Sequence, residues 1–269
     1  MTTAGDRLVK VEGAGNDFVL GTGSWARRLS DDGELVTRLC DRRRGIGADG
    51  ALALVADRPD RIVLVHRNAD GSRSAFCANG TRCAARAAVE LLGAPTVLAV
   101  VTDWTTIPAT VSPTGVSLEL PAPGTVRPIR LAGPERTWSG SRLEVGVPHL
   151  VLPVTDLASL DIVALAGPLR RHPELGDAGA NVHMIEKTDE GLEIRSMERG
   201  VATEVLCCGS GVVAAALVTL AGSPARRLTV VPRSGDRLTV EALGEPPNAA
   251  SRLTGPARLV AAVEPIFTG

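Results

Sequence analysis

Hydrophobic and polar positions along the chain predict many short strands and two longer, mainly apolar helices. Each helix follows directly on a short turn that opens with a cysteine, Cys77-Ala-Asn-Gly in the first half and Cys208-Gly-Ser-Gly in the second. Each helical run ends at a glycine, Gly93 or Gly222, with a proline two residues later, which is a typical stop signal. A strand-like run precedes each cysteine and a predicted hairpin follows each helix, so the same order of elements occurs twice.

This repeat predicts an α+β fold of two pseudo-symmetric domains, each a β-sheet wrapped around a central helix, with an active site in the cleft between them. We place the domain of the first cysteine at residues 1–120 and the domain of the second at residues 129–269. The proline-rich segment 121–128 is the predicted linker. The last strand, about residues 257–269, is expected to pack back on the N-terminal domain.

Two local predictions concern the ends of elements. A short helix is expected from Ser30 to Cys40, with Ser30 as its N-cap. A strand is expected over Leu143–Leu152, interrupted at Val147-Pro148. A proline beside a histidine in mid-strand indicates either an edge bulge or a histidine that must be aimed.

Composition narrows the class of protein. The chain of 269 residues is 44% hydrophobic, which is enough for real cores, and its formal net charge of −1 argues against a nucleic-acid partner. Three Trp, three Phe and no Tyr leave few rings for stacking on bases. The sequence has no apolar leader and no apolar run of about 18 residues, so we expect no membrane association and predict a cytoplasmic protein.

The cysteines are the main candidates for chemistry. Unpaired backbone N–H groups and the positive end of the helix dipole favour a thiolate and a bound anion at a helix N-terminus, which singles out Cys77 and Cys208. Cys40 and Cys83 are interpreted as small buried apolar residues, and the role of Cys207 stays open. The set is too sparse for a disulfide framework. Without a C-x2-C pair and with scattered histidines, no metal site is predicted.

Several motifs, in order along nearly the whole chain, carry a resemblance to a known family. They are Gly13-Ala-Gly-Asn-Asp-Phe, Gly45-Ile-Gly-Ala-Asp-Gly, Asn68-Ala-Asp-Gly-Ser with Cys77-Ala-Asn-Gly, Pro148-His149, Asn181-Val, and Glu198-Arg-Gly with Cys208-Gly-Ser-Gly. Together these motifs resemble the diaminopimelate epimerase family.

The resemblance implies an isomerase, a racemase or epimerase that inverts the α-carbon of an amino acid without pyridoxal phosphate or another cofactor. Cys77 and Cys208 would form the acid–base pair, one removing the α-proton as thiolate and the other, as thiol, protonating the opposite face. His149 would assist Cys77, and Glu198 would assist Cys208. The implied partners are a small amino-acid substrate and a second copy of the chain in a homodimer, with neither nucleic acid nor membrane.

The family pattern also assigns substrate-binding positions. Backbone amides at the two helix starts would hold the α-carboxylate, and polar side chains would bind the rest of the substrate. The first group comprises Ala78, Asn79, Gly80, Gly209 and Ser210, and the second comprises Asn16, Asn68, Asn181, Glu198 and Arg199.

Departures from the family pattern bear mainly on the substrate side chain. The usual histidine before the first glycine motif is Glu12, the usual glycine after the first cysteine is Ala78, and the usual asparagine before Pro148 is Val147. Losing a hydrogen bond to a distal polar group costs about 1–3 kcal/mol if that group is left unpaired. The loop Val201–Glu204 is one residue longer than the family loop. Val147 is therefore the candidate specificity residue.

The sequence leaves three functions open. The first is a diaminopimelate epimerase of lysine biosynthesis, or a close relative that racemises another polar amino acid in specialised metabolism, of O-ureidoserine or histidine type. The second is a different enzyme of the same architecture, such as a proline-type racemase or an isomerase without the cysteine pair, and the presence of both cysteines argues against it. The third is a non-catalytic amino-acid-binding protein, against which the full set of catalytic candidates argues.

Overall fold

The strands and helices fall into two units in a computed structural model that describes residues 5–133 and 135–264. Unit 1 comprises Met1–Leu118 with Pro256–Gly269, and unit 2 comprises Glu119–Gly255. The proline-rich segment 121–128 therefore belongs to unit 2. Of the expected last strand, residues 265–269 lie outside the described residues.

Unit 1 contains short strands and helices, and its third helix follows Cys77. The elements are, in chain order, β1 (Arg7–Gly13), β2 (Asn16–Thr22), α1 (Ser24–Asp31), α2 (Gly33–Cys40), β3 (Gly50–Arg58), β4 (Arg61–Asn68), β5 (Arg73–Ser74), α3 (Ala78–Leu92), β6 (Val97–Val101), β7 (Thr106–Ser112), β8 (Gly115–Leu120) and β17 (Arg258–Ala262).

The sheet of unit 1 is mixed, in the order β17-β1-β2-β3-β4-β6-β7-β8. The pairs β2–β3 and β4–β6 are parallel, and the other neighbours in this order are antiparallel. Helix α3 contacts strands β1 to β4, β6, β7 and β17, and every residue from Ala78 to Ala85 is buried. Small side chains allow the strands to approach this helix closely. The helix ends at Gly93, whose φ of 70° is left-handed, as the stop signal predicts.

The predicted start of the Ser30–Cys40 helix is wrong. Ser30 lies within α1, and a second helix, α2, begins at Gly33. Its N-cap is Asp32, whose carboxylate accepts a hydrogen bond from the Leu35 backbone N–H at 2.8 Å. Serine and aspartate are both good caps, and the apolar pattern does not show where the chain turns between two short helices.

Unit 2 has its own strands and the helix that follows Cys208. The elements are β9 (Arg127–Ala132), β10 (Thr137–Val145), β11 (Val147–Pro153), a 3-10 turn (Leu157–Ser159), α4 (Ile162–Leu169), a second 3-10 turn (Pro173–Leu175), β12 (Asn181–Thr188), β13 (Gly191–Met197), α5 (Gly209–Leu220), β14 (Arg227–Pro232), β15 (Leu238–Ala242) and β16 (Ser251–Gly255).

The sheet of unit 2 is also mixed and runs in sequence order from β9 to β16. The pairs β11–β12 and β13–β14 are parallel, and the other neighbours are antiparallel. Helix α5 contacts strands from β10 to β15, and its residues from Gly209 to Leu217 are buried. A second layer of the core lies where α4 packs on β12 and β13.

The strand predicted over Leu143–Leu152 does not continue through its interruption. The chain reverses at Gly146, whose φ is 71°, and Val145 pairs with Val147 in antiparallel register. A left-handed φ is accessible to glycine at little steric cost, so this glycine allows the tight reversal. Strand β11 pairs with β10 on one side and with β12 on the other, so His149 does not lie at a sheet edge. No helix among the described residues is long and apolar enough to cross a membrane.

Candidate active site

Cys77 is the N-cap of helix α3. Its backbone is extended, with φ −141° and ψ 112°, and its sulfur accepts a hydrogen bond from the Gly80 backbone N–H at 3.4 Å. Ala78, Asn79 and Gly80 form the buried first turn of the helix. The extra methyl group of Ala78 is therefore accommodated without displacing the cap. This is the position in which the unpaired N–H groups of a helix gather beside a thiol.

An amide network surrounds Cys77. The side-chain carbonyl of Asn16 lies 3.8 Å from the Cys77 sulfur and accepts a hydrogen bond from Asn79 Nδ2 at 3.4 Å. Arg82, which is fully buried, donates to Asn79 Oδ1 at 2.8 Å and to the Ala78 carbonyl at 3.3 Å. The guanidinium thus fixes the orientation of Asn79, which in turn positions Asn16.

A charged cluster holds Asn16 from the other side. Asn16 Nδ2 donates to Asp49 at 2.7 Å, and Arg42 bridges Asp49 and Asp17 at 2.6 and 2.8 Å. Partial burial alone would raise the pKa of Asp17, but hydrogen bonds from Arg42 and Lys10 lower it to about 2. Asp17 therefore stays charged, and the Gly45 motif loop is tied to the loop that carries Asn16.

Asn68 lies at the exposed end of β4. Its backbone N–H bonds the Ser72 carbonyl at 2.9 Å, and its Nδ2 donates to Ser72 Oγ at 3.0 Å. These bonds close the turn between β4 and β5. The Asn68 side chain thus already has a partner within its own turn.

Cys208 is the N-cap of helix α5 and is more enclosed than Cys77. Only 4% of the residue is exposed, whereas Cys77 is partly exposed. Asn181 Nδ2 lies 3.9 Å from the Cys208 sulfur and Ser210 Oγ lies 3.8 Å from it. Burial raises the pKa of the Cys208 thiol well above its usual value, and the neighbouring Glu198, which also hydrogen-bonds the thiol, raises it further.

The electrostatics at Cys208 correct the expectation that a helix start favours the thiolate. The Gly211 N–H and the Ser210 hydroxyl do lower the pKa of Cys208, but burial and Glu198 outweigh them. A helix terminus contributes about 0.3–1 kcal/mol, which is less than about one pKa unit. Burial can shift a pKa by up to about 3–5 units. In this state Cys208 is a thiol next to a carboxylate that can accept its proton.

Backbone contacts hold the loop that carries Glu198 and Arg199. The Arg199 backbone N–H donates to Asn181 Oδ1 at 2.9 Å, so Asn181 links this loop to the Cys208 sulfur. Arg170 Nη1 donates to the Glu198 carbonyl at 2.6 Å and also to the Val201 carbonyl. The Arg199 side chain donates to the Ala178 carbonyl at 3.2 Å.

The loop Val201–Glu204 after this motif is anchored by its last residue. Glu204 accepts two hydrogen bonds from Arg195, at 2.8 and 2.6 Å, and another from Arg233 at 2.5 Å. Paired, charge-assisted hydrogen bonds of this kind are among the stronger polar contacts in proteins. The end of this loop is therefore held in place, and its greater length than the family loop stays a prediction.

Two residues next to the catalytic candidates were missed from the sequence. His149 Nδ1 lies 2.8 Å from His183 Nε2, and His183 Nδ1 lies 2.8 Å from Ser196 Oγ. All three side chains are buried, and burial lowers the pKa of His149 to about 3 and that of His183 well below its usual value. The pair is therefore neutral. A signal existed, because Asn181 and His183 are two residues apart on one strand and so share a face.

The histidines are therefore not all scattered, and this corrects the sequence interpretation. One ligand atom from each of His149, His183 and Cys208 lies within 4.8 Å of the other two. The parallel pairing of β11 with β12, in which His149 faces Asn181, brings these side chains together. His149 thus lies in the neighbourhood of Cys208 within unit 2, and its assignment as the assistant of Cys77 stays a prediction.

Gly211 shows why the first turn of α5 is glycine-rich. A Cβ at Gly211 would lie 2.5 Å from His183 Nε2 and 2.8 Å from His183 Nδ1. Real Cβ atoms do not approach so closely, so the ring can pack on the helix only because the side chain is missing. Gly209 and Ser210, the predicted carboxylate-binding amides, are buried in the same turn.

The cysteines outside the two helix starts are not joined by disulfide bonds. All five cysteines are described, and no disulfide joins them. Cys40 and Cys83 are buried, and burial raises the pKa of Cys40 to about 12 and that of Cys83 still higher. Inert thiols of this kind fit their interpretation as apolar residues.

Val147, the candidate specificity residue, is partly buried at the start of β11, two residues before His149.

Comparisons with known proteins cover most of the chain. The family model for diaminopimelate epimerase matches residues 8–115 and 142–260. The diaminopimelate epimerase of Aquifex aeolicus (strain VF5) is 32% identical over 247 residues, covering 86% of this chain and 88% of the relative. That of Methanothrix thermoacetophila is 35% identical over 257 residues, covering 89% and 86%.

Solved structures show the same fold at low sequence identity. A phenazine biosynthesis protein of the PhzF family from Bacillus anthracis has a TM-score of 0.74 at 13% identity, covering 97% of this chain and 99% of the other. A hydroxyproline epimerase from Agrobacterium vitis has a TM-score of 0.70 at 16% identity, covering 97% and 91%. The resemblance noted in the sequence is thereby confirmed: the chain belongs to the diaminopimelate epimerase family and is an isomerase of the epimerase class.

Proposed function

We propose that Cys77 and Cys208, one from each of two pseudo-symmetric units, invert the α-carbon of an amino acid by acting on opposite faces of the substrate. The observation that carries the proposal is the shared position of the two cysteines, each the extended N-cap of a buried central helix. The order of pairings also supports pseudo-symmetry. Both sheets read antiparallel, antiparallel, parallel, antiparallel, parallel, antiparallel, antiparallel from one edge to the other.

Proton transfer runs between the two sulfurs and the α-carbon. One cysteine, as thiolate, takes the α-proton and becomes a thiol, which leaves a carbanion. The other thiol gives its proton to the opposite face and becomes a thiolate. Inversion thus needs an acid and a base at once, and the reverse reaction exchanges their roles. No step in this scheme requires pyridoxal phosphate.

The residues around Cys208 suit it to begin as the acid. Its thiol is buried and its pKa is raised, so the proton stays on sulfur until a carbanion forms. Glu198 hydrogen-bonds this thiol and is the proposed base that regenerates the thiolate for the reverse direction. Cys77 would begin as the base, since it is more exposed and its sulfur accepts the Gly80 N–H.

The carboxylate of the substrate is proposed to lie at the two helix N-termini. Backbone N–H groups of the Ala78–Gly80 turn and of the Gly209–Ser210 turn would stabilise the charge that develops when the α-proton leaves. Losing one donor of this kind typically costs about 10²–10³ in kcat. The amides of Asn16 and Asn181 would orient the substrate beside each sulfur.

The substrate is proposed to be diaminopimelate or another polar amino acid. The curated relatives are named for diaminopimelate, which favours the first, and Val147 in place of the expected asparagine favours the second. If Val147 closes the distal pocket, Val147→Asn should raise activity on diaminopimelate relative to the native substrate by about tenfold, the equivalent of one hydrogen bond. An unchanged ratio would mean that other residues set the pocket.

A homodimer and a reducing, cytoplasmic location complete the proposal. The family resemblance supports the dimer, and sedimentation of the purified chain at several concentrations tests it. The proposed chemistry needs both cysteines as thiols, which a reducing compartment maintains. A monomer at all concentrations would contradict the first point.

The decisive experiment is α-proton exchange in deuterium oxide, followed by mass spectrometry and NMR. The panel includes L,L- and meso-diaminopimelate, histidine, serine-derived amino acids, ornithine, lysine, arginine and glutamate. Exchange with inversion of one member names the substrate class. Binding of an amino acid without exchange would instead identify a non-catalytic binding protein and would contradict the proposal.

A further inference from the structure

Three side chains of the kinds that bind zinc converge at the start of α5. His149, His183 and Cys208 are all buried, and one ligand atom from each lies within 4.8 Å of the others. Imidazole nitrogen and thiolate sulfur are the ligands that Zn²⁺ and related soft divalent cations prefer. The cluster is formed by two neighbouring strands and a helix start, so its ligands sit on rigid elements.

A second observation points to a ligand at this place. His149 Nε2 is buried and has no hydrogen-bond partner among the described residues. His149 Nδ1 lies 2.8 Å from His183 Nε2, so Nε2 is the ring nitrogen of His149 that has no partner. A buried ring nitrogen left without a partner is unfavourable, and coordination to a cation would satisfy it.

The outer hydrogen bond of His183 is that of a metal-binding histidine. Such histidines usually bond a carbonyl, carboxylate or other oxygen through the ring nitrogen that faces away from the metal. His183 Nδ1 has Ser196 Oγ at 2.8 Å. Packing against Gly211 limits rotation of the His183 ring. This ring is thus held with its Nε2 2.8 Å from His149 Nδ1, and a bound ion would replace that hydrogen bond.

We propose that His149, His183 and Cys208 form a binding site for a thiophilic divalent cation of the Zn²⁺ type. Bonds of about 2.0–2.3 Å to a tetrahedral ion place ligand atoms roughly 3.3–3.6 Å apart, so the three side chains, whose ligand atoms lie within 4.8 Å of one another, must shift slightly to bind it. The His149–His183 hydrogen bond opens as the ion enters. Glu198, which bonds the Cys208 thiol, or a water molecule provides the fourth ligand.

Occupation of the site has a consequence for catalysis that rests on the proposed function. Sulfur binds the metal as thiolate, and its proton leaves to solvent. A metal-bound Cys208 therefore has no proton to deliver and is held away from the base role as well. The cation would act as a reversible inhibitor of inversion.

Cobalt provides a spectroscopic test that does not depend on activity. The full chain, freed of metal with a chelator, is titrated with Co²⁺ while the visible and near-ultraviolet spectrum is recorded. We expect one ion per chain, a thiolate-to-cobalt charge-transfer band, and displacement of Co²⁺ by added Zn²⁺. Absence of a thiolate band in the titrated chain would overturn the proposal.

Single-residue variants test which side chains bind the metal ion. Cys208→Ser should remove the charge-transfer band, and His183→Asn should weaken Co²⁺ binding by more than the roughly 10–100-fold expected for the outer-shell variant Ser196→Ala. His172→Ala, a histidine of unit 2 outside the cluster, and Cys77→Ser should bind as the unaltered chain does. Thermal unfolding checks each fold. If His183→Asn does not fold, the near-isosteric Cys208→Ser still decides, because an unchanged band there would contradict the site.

Activity measured on the metal-loaded chain separates the two proposals. Loss of α-proton exchange that chelator restores supports both the site and the role of Cys208. Metal binding with unchanged exchange would confirm the site and overturn the assignment of Cys208 to proton transfer. Exchange that is lost without a thiolate band would contradict the site alone.

Discussion

The two cysteine-bearing helix starts share a backbone geometry but differ in environment. Cys77 is partly exposed, and its neighbours are amides, Asn16 and Asn79, backed by the buried cation of Arg82. Cys208 is 4% exposed and lies beside the carboxylate of Glu198 and two neutral histidines. The same motif therefore places one sulfur between a backbone N–H and an amide carbonyl and the other in an enclosed pocket with a base.

This difference teaches that a helix N-terminus alone does not set the state of a thiol. The helix dipole and the backbone N–H groups of the first turn act at the start of both helices. At Cys208, however, burial and Glu198 determine the direction of the pKa shift. An enzyme that must hold one thiolate and one thiol at the same time needs such an asymmetry. The environments, more than the motif, would supply it.

The largest expected effect is the loss of inversion when either cysteine is replaced. Cys77→Ser and Cys208→Ser should each abolish inversion, with a loss of at least about 10²–10⁴-fold, because a serine hydroxyl is too weak an acid to share the proton task. Inversion of the substrate identified by the deuterium panel is followed by chiral chromatography. Cys40→Ser, at a buried cysteine outside both motifs, is the matched control. Full racemase activity in either catalytic variant would end the two-base assignment.

The next effect compares the third residue after each cysteine. Gly211→Ala should destabilise the protein by about 1–3 kcal/mol, because the new methyl group overlaps the His183 ring. In Gly80→Ala the nearest atom is Leu52 Cδ2, at 3.0 Å, and the next lies 3.6 Å away. A leucine methyl can shift, and alanine favours the helix by about 1 kcal/mol over glycine, so this variant should be close to neutral. Urea unfolding gives both values, and equal losses would contradict the packing argument.

Chemical labelling should distinguish the sulfurs themselves. Iodoacetamide attacks thiolates, and the raised pKa and burial of Cys208 leave little accessible thiolate at neutral pH. We expect Cys77 to be alkylated at least about tenfold faster than Cys208, since each unit of pKa shift is a factor of ten in thiolate. Peptide mass spectrometry at timed intervals measures the two rates. Faster labelling of Cys208 would show that its pocket is open and its thiolate populated.

The last effect, which is the smallest when it is expressed per pH unit, concerns the buried histidines of the two units. Burial lowers the pKa of His66 in unit 1 to about 4 and that of His149 in unit 2 to about 3, from 6.5. Between these values and 6.5 the unfolded chain binds more protons, so stability falls as the pH drops below 6.5 and is unaffected above it. Each histidine contributes a slope of up to about 1.4 kcal/mol per pH unit.

Urea unfolding over a pH series from neutral to mildly acidic tests this slope. His66→Asn should remove the contribution of unit 1 and leave that of the His149–His183 pair. A flat profile in the unaltered chain would mean that these histidines become charged in the folded state.

Local signals in the sequence were sufficient to place both cysteines. A cysteine, a glycine-containing turn and an apolar run together specify an N-cap, because capping depends on residues within one helical turn. The glycine stop at Gly93 is local in the same way. The exchange of Ser30 for Asp32 as the cap of α2 shows the limit of such signals, since either residue satisfies the local rule.

Pairing between strands decided what local signals could not. His149 and His183 are 34 residues apart and meet because β11 and β12 pair in parallel register. The raised pKa of Cys208 depends on the burial supplied by the whole of unit 2 and on Glu198 from a loop. Desolvation and register are sums over residues distant in the chain. The sequence alone therefore determined the family, the two cysteines and their helix starts, whereas only the tertiary structure decided that the pKa of Cys208 is raised and which side chains surround each sulfur.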